Sequence, residues 1–311
     1  MQTFTDPSEF PRLSNTSATI GNFDGVHLGH QRLLDSLAEV SQNTNSRSCA
    51  ITFEPHPLQF FHKAPERPFV LSSIAEKVRL LEQRSLDFLL VLPFERVASL
   101  TPAEFVERYL IKALNISFLL VGYDFSFGRD RAGSFQHLLD AGKQFGFDVD
   151  RFPPVLHDNE PISSSRIRQR LWDGDVAAAA LLLNRPYSLS GTVIRGDARG
   201  RQLGFPTANV ADEQTLLPNG VYCTQLSCRG RTHAAVTNIG TRPTFHGAAQ
   251  VRLVETHVLD AGPNFNLYGQ LVEVRFLEYL RRQETFASAE ALVQQIGQDI
   301  DRSRQWFAAH T

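Results

Sequence analysis

Two histidines, His27 and His30, close a glycine-punctuated run: Thr19-Ile-Gly-Asn-Phe-Asp-Gly-Val-His-Leu-Gly-His30. Imidazoles three residues apart share a face once a helix is under way. At a helix N-terminus they also meet free N–H donors and a partial positive charge. Such a set suits the stabilisation of negative charge building on a phosphate. Gly21, Gly25 and Gly29 permit close backbone approach to a bound group, and Asn22, Phe23 and Asp24 lie between the first two. The pattern G-x-x-x-x-G-K-[ST] is absent here, so the run is not a P-loop. Taken alone, the pair leaves two other uses open. It could hold a metal, although no third Cys or His has convincing spacing, or it could be two ordinary half-buried histidines.

A second chemical stretch lies far downstream, at Gly191-Thr-Val-Ile-Arg-Gly-Asp-Ala-Arg-Gly-Arg-Gln-Leu-Gly-Phe-Pro-Thr-Ala-Asn209. Backbone N–H groups around Gly196, Gly200, Gly204 and Pro206 can cradle phosphates, while Thr207 and Asn209 offer oxygen ligands to Mg²⁺. A plain hairpin loop has the same composition. Further on, Val254-Glu-Thr-His257 sets a carboxylate in an otherwise apolar strand. Glu255 has the parity of Leu253 and His257, so alternation alone does not decide which face it takes.

These residues need elements to hold them. In the first half, short apolar runs at 51–53, 88–92 and 118–121 read as buried strands, each bounded by Pro, Gly or charge. Helix signals lie between them. A helix is expected from about Gln31 to Val40. Ser73-Ile-Ala-Glu76 and Thr101-Pro-Ala-Glu104 are capping boxes, the second with Pro102 at the first helical position. Strands alternating with helices imply βαβ units, hence a Rossmann-like α/β domain with a mainly parallel sheet. From about Tyr187 the pattern changes to runs rich in β-branched and aromatic residues, at 221–226, 232–237, 251–257 and 271–279. In the last of these, Val272, Val274 and Phe276 alternate with Glu273, Arg275 and Glu278. An antiparallel β-barrel is expected, closed by a terminal helix with Leu292, Ile296 and Ile300 on one face. The boundary falls after Asn184, where Arg185-Pro186 cannot continue an Ala/Leu helix. That gives an N-terminal domain of residues 1–184 and a C-terminal domain of residues 185–311.

Three more segments accompany the histidine run. Phe53-Glu-Pro-His-Pro57 and Gly122-Tyr-Asp-Phe-Ser-Phe-Gly128 each follow a strand, as loops lining the carboxyl edge of a sheet should, and Arg129 and Arg131 flank the second. Ser163-Ser-Ser-Arg-Ile-Arg168 opens a helix, with hydroxyls and cations where phosphate binds well. Gly-Asn-Phe-Asp-Gly followed by His-Leu-Gly-His resembles the H-x-G-H signature of the nucleotidyltransferases. The four segments in this order, over residues 15–184, resemble the FMN adenylyltransferase module of bacterial bifunctional riboflavin kinase/FAD synthetases. Gly200-Arg-Gln-Leu-Gly-Phe-Pro-Thr-Ala-Asn209, Pro218-Asn-Gly-Val-Tyr222, Asn238-Ile-Gly-Thr-Arg-Pro-Thr-Phe245, Glu255-Thr-His257 and Leu267-Tyr-Gly269 resemble the riboflavin kinase module. That match spans residues 185–311, with Leu280-Arg281 and Phe286 before the last helix.

The resemblance implies two ATP-dependent transfers. In the kinase module Glu255 would be the general base for the ribityl 5′-hydroxyl of riboflavin as it attacks the γ-phosphate, yielding FMN and ADP. Thr207 and Asn209 would hold Mg²⁺, and Arg281 would contact the flavin side. In the adenylyltransferase module the FMN phosphate is already ionised and needs no base. FAD and pyrophosphate would follow from positioning and charge stabilisation. His27 and His30 would face the triphosphate, and Ser164 with Arg168 the departing pyrophosphate. Ser163 and Ser165 join the phosphate site, and Asp124 and Phe125 the flavin site.

Composition bounds the alternatives. The chain has 311 residues, 42% hydrophobic and 21% charged, with net charge −2. That is the balance of a globular protein, without the basic footprint of a nucleic-acid or membrane-surface partner. No apolar run is long enough to span a bilayer, and the first residues lack the pattern of a signal peptide. The three cysteines form no CxxC, so a reducing, cytoplasmic compartment is expected. Oligomeric state is open. Two rival functions also remain: a nucleotidyltransferase with another acceptor, and a flavin-binding protein that has lost catalysis.

Overall fold

The computed structural model describes residues 1–61, 68–196, 200, 203–211, 215–242, 251–262 and 265–310. It divides into two compact units, Met1–Ser164 and Ser165–Thr311.

The first unit is built on a six-stranded sheet of order β1-β4-β3-β2-β5-β6. The strands are Gln2–Phe4, Thr16–Ile20, Arg47–Glu54, Phe88–Pro93, Ile116–Gly122 and Asp148–Phe152 in chain order, every pairing parallel. Alternation splits its core into two layers. Ala50, Leu89, Val91 and Leu120 pack with Leu34 and Leu37 of helix α1 (Leu28–Asn43) and with Leu80 and Leu81. Cys49, Ile51, Leu90, Leu92, Leu119 and Val121 pack with Phe105, Tyr109 and Leu138. Each fully buried leucine contributes about 2 kcal/mol of transfer free energy. After the short α2 (Pro57–Phe61), α3 (Ile74–Glu82) starts where Ser73 caps the amide of Glu76. Thr101 and Glu104 form the anticipated capping box of α4 (Pro102–Phe105), which runs on as a π-helix over Val106–Ala113. Helix α5 (Phe135–Phe145) covers the same layer.

Helix α1 begins three residues earlier than the sequence suggested. His27 is its N-cap, with Nδ1 accepting from the amide of His30 at 3.3 Å. Histidine is not among the usual capping residues, so propensity hid this start.

The division between units falls inside α6 (Ser164–Trp172), and α7 (Val176–Leu183) ends at Asn184 in a left-handed cap. The second unit is a closed antiparallel barrel of order β10-β13-β12-β11-β14-β9. Strands β7 (Leu156–His157) and β8 (Glu160–Pro161) form a small hairpin in the first unit, and the barrel strands are β9 Tyr187–Ile194, β10 Ala208–Val210, β11 Gly220–Cys228, β12 Arg231–Arg242, β13 Val251–Val258 and β14 Leu271–Arg282. Tyr222, Val274 and Phe276 fill the interior, and the hydroxyls of Thr224, Thr237 and Thr256 bond in a row at 2.8 and 2.9 Å. Outside, Val221, Cys223 and Val236 pack under Ile296 and Ile300 of helix α8 (Ala289–His310). The expected alternation of β14 holds as far as Phe276. A register shift opposite Cys223/Thr224 then reverses the faces, so that Tyr279 meets the ring of interior Tyr222 and Leu280 joins the α8 layer.

Candidate active sites

In the first unit, β3 and β5 flank β2 on opposite sides, so the chain reverses its direction of winding at β2. Ligands bind beyond the carboxyl ends of parallel strands at such a switch point. The loops from β3, β2 and β5 that emerge there are the three strand-following segments singled out in the sequence.

The loop after β2 is wound tightly. Phe23, Gly25 and Val26 take positive φ angles of 45°, 76° and 39°. Phenylalanine and valine do so at a cost of about 1–3 kcal/mol each, which their complete burial helps to offset. Asp24, 1% exposed, anchors the turn: its Oδ1 accepts from the amides of Leu71 (2.8 Å) and Ser72 (3.3 Å), and the amide of Gly25 donates to Ser72 Oγ at 3.0 Å. Asn22 is exposed at the mouth of the loop, and its carbonyl accepts from Thr52 Oγ1.

The two imidazoles stack, centroids 3.6 Å apart and 18° from parallel, with Phe23 edge-on to His30 at 5.3 Å. Because His27 Nδ1 accepts a backbone hydrogen bond, neutral His27 carries its proton on Nε2. Among the described residues, His30 Nδ1 is buried with no hydrogen-bond partner. Orphaned donors are rarer than orphaned acceptors, which assigns its proton to Nε2 as well. Burial first, then His27 and Lys77, hold His30 well below the usual imidazole pKa. His30 is therefore a neutral N–H donor at pH 7. Among the described residues no third metal-ligating group completes a cluster with them.

Ser164 Oγ donates to the backbone carbonyl of Asp24 at 3.0 Å, which brings the serine run against the histidine loop. Ser163 is half-buried and Ser165 exposed. Arg168, one turn further along α6, is 7% exposed with Nη1 3.5 Å from Ser165 Oγ. In the loop after β5, Asp124 is exposed, while half-buried Phe125 stacks on Phe127 at 5.6 Å. Arg129 and Arg131 are exposed beside it, and Arg131 Nε donates to Ser126 Oγ.

In the second unit, burial settles the face of Glu255. Val254, Thr256 and Val258 are buried, whereas Glu255 shares the outer, half-buried side with Leu253 and His257. Its strand neighbours in register are Asn209 on β10 and Asn238 on β12, and Asn238 Nδ2 lies 3.4 Å from Glu255 Oε2. The phosphate-loop candidates converge on the same row. An added Cβ at Gly196 would lie 2.3 Å from the Asn209 side-chain amide, so a side chain there would force Asn209 to shift. Gly200 accepts from the amide of Phe205 at 2.7 Å and passes close to Thr207 Oγ1, and Gly204 turns with φ +89°. The carbonyl of Pro206 meets His257 Nδ1 at 2.9 Å. Residues 197–199, 201 and 202 of this loop, and 243–245 of the Asn238 segment, lie outside the described residues. Hydroxyl, amide and carboxylate oxygens from Thr207, Asn209 and Glu255 make a hard donor set, and it fits Mg²⁺. Beside the loop, Phe205, Pro206, His257, Leu259, Ile300 and Arg304 line an open groove of about 380 Å³.

Arg281 is engaged elsewhere. Its Nε and Nη2 bond the carboxylate of Asp299 at 2.9 and 2.8 Å, tying β14 to α8, and its guanidinium lies 5.7 Å from the Phe286 ring. The three cysteines are free and buried, and burial raises the thiols of Cys49 and Cys223. Sequence reasoning passed over Ser72, Lys77, Asn238 and His257 as individual side chains. Asn238 and His257 stood only within quoted segments, and the trace of Lys77 is a cation three and four residues before Leu80 and Leu81 on an apolar helix face.

Comparison with known proteins agrees with both constellations. The FAD synthetase family matches residues 10–166 and the riboflavin kinase family residues 183–307. The Escherichia coli K12 bifunctional riboflavin kinase/FMN adenylyltransferase is 40% identical over 294 residues, covering 93% of this chain and 92% of the relative. Its counterpart from Buchnera aphidicola of Schizaphis graminum is 37% identical over 300 residues, covering 94% and 95%. A solved Streptococcus pneumoniae chain, described as a macrolide-efflux protein, superposes with TM-score 0.84 at 31% identity over 98% of both chains. With both families matched in this order and relatives similar along nearly its whole length, this chain belongs to the bifunctional riboflavin kinase/FMN adenylyltransferases.

Proposed function

We propose that this chain phosphorylates riboflavin to FMN in its C-terminal domain and adenylylates FMN to FAD in its N-terminal domain, consuming ATP in each step and releasing ADP and pyrophosphate respectively. The carrying observation is that the histidine loop with Ser164 and the Glu255–Asn209–Asn238 row gather in separate compact units. The efflux named for the Streptococcus pneumoniae protein is not carried over, since no helix among the described residues is long and apolar enough to cross a membrane. We assign the reactions to the cytoplasm and the functional boundary to Asn184, whose left-handed cap ends α7.

In the kinase step Glu255 takes the proton of the ribityl 5′-hydroxyl as that oxygen attacks the γ-phosphorus. Asn238 holds the carboxylate at the angle that faces the acceptor. Gly196, Gly200, Gly204 and Pro206 shape the backbone around the phosphates. Thr207 and Asn209 would hold Mg²⁺, which when bound offsets phosphate charge. Arg281 anchors the α8 end of the flavin side.

In the adenylyl step the FMN phosphate attacks the α-phosphorus of ATP and pyrophosphate departs. His27 and His30 donate from Nε2 to oxygens gaining charge, and the neutral His30 does so without the desolvation cost of a buried imidazolium. Gly21, Asn22, Phe23, Asp24 and Gly25 form the cradle, and Ser163, Ser164, Ser165 and Arg168 take the leaving group. Asp124 and Phe125 meet the flavin. One incubation tests the whole reading: purified chain, riboflavin, ATP and Mg²⁺, with flavins separated by chromatography over time. Transient FMN followed by FAD is expected. FMN alone removes the adenylyl half, and neither product removes both.

A further inference from the structure

Lys77 is 2% exposed on α3, among the most deeply buried large side chains of the first unit, and the two reactions as described give it no task. Helix α3 packs against the Asp24–Val26 turn, with Leu80 and Leu81 in the core layer. The ammonium acts electrostatically on three elements around the nucleotide loop: Asp24 on the turn, Glu54 at the end of β3 and His30 on α1. Asp24 is also fixed by the amides of Leu71 and Ser72, from the chain leading into α3, so Lys77 and Asp24 link the same two segments twice. A methionine would pack as well, and buried ion pairs are often no more stabilising than apolar residues of their volume. A cation kept at such a position points to a task in the site.

We propose that Lys77 is a positioning residue of the adenylyl site: its ammonium draws the Asp24 loop and Glu54 together and keeps a fixed positive charge close to His30. This rests on the adenylyl activity proposed above. The charge near His30 disfavours a second cation there and so favours the neutral Nε2–H donor. Burial and the neighbouring His27 act in the same direction. Burial also lowers the pKa of Lys77 itself, and Asp24 and Glu54 oppose it by favouring the charged ammonium.

The test uses the full chain with FMN, ATP and Mg²⁺, following FAD formation between pH 5 and 9, with riboflavin phosphorylation measured in parallel. Unaltered protein must form FAD; if it does not, the activity itself is overturned and this role with it. Lys77→Met is expected to lower kcat for FAD formation by about tenfold or more, the scale of a misplaced reacting group. Its acid limb moves to higher pH, because His30 loses a repelling charge, and kinase turnover stays at the parental rate. Lys77→Arg is expected to restore the limb and most of kcat. Parental kcat with an unmoved limb in Lys77→Met overturns the proposal. So does an equal fall at every pH that Lys77→Arg fails to restore. Should Lys77→Met not fold, Lys77→Gln is held to the same outcomes.

Discussion

Ser164 donates its hydroxyl proton to the backbone carbonyl of Asp24 at 3.0 Å, across 140 residues of chain. That bond ties the turn holding Phe23, Asp24 and Gly25 to Ser164, and so joins two segments of the cradle expected for ATP. Replacing Ser164 by alanine should cost about 1 kcal/mol of stability. It should lower FAD formation at least several-fold while leaving FMN formation intact, as measured by separate assays of the two steps.

Glu255 is expected to serve the kinase step alone. Glu255→Gln keeps the side-chain length and a contact with Asn238 but removes the base. FMN formation from riboflavin should fall by about 10²–10⁴. FAD formation from supplied FMN should stay at the parental rate. Loss of both in a folded variant would contradict the two-site assignment.

His30→Ala is expected to stall the pathway at FMN. Removing one preorganised donor typically lowers kcat by about 10²–10³. The product profile of the riboflavin incubation would then show FMN accumulating with almost no FAD. FAD at the parental rate would exclude His30 from the chemistry.

The lowered pKa of His30 has a consequence for stability. Its unfolded pKa is near 6.5 and its folded pKa lies well below, so between the two the unfolded chain binds the extra proton. Stability is therefore present above pH 6.5 and is lost as pH falls below it. Thermal melts from pH 7.5 to 5.5 should show the Met1–Ser164 unit losing Tm, and His30→Ala should flatten part of that slope.

Asp299→Ala tests the barrel separately. The Arg281–Asp299 pair is buried, with side chains 15% and 3% exposed. Truncating one member leaves an uncompensated charge and should cost about 3–5 kcal/mol. The melting of the C-terminal unit should shift down and FMN formation should fall with it, while FAD formation from supplied FMN persists below that transition.

How far each feature could be read depends on how local its cause is. The Thr101–Glu104 capping box and the alternation of β14 up to Phe276 came through because they depend on neighbours a few residues away. The start of α1 did not, because a histidine stood where serine or aspartate usually caps. Nor did the outward turn of Leu280, which follows from a register shift against β11 rather than from any pattern within β14.

The sequence by itself determined the two-part architecture, the parallel and antiparallel sheets, and the kinds of group available for each transfer, since periodicity, glycine placement and residue chemistry are written along the chain. Tertiary structure alone decided that Glu255 faces outward between Asn209 and Asn238, that Asp24 meets Ser164, that Arg281 turns its fork to Asp299, and that Lys77 lies buried on a helix packed against the Asp24 turn. Each of these joins residues far apart in sequence through strand register or helix packing. Such contacts depend on how whole elements come to rest against one another, which no local spacing encodes.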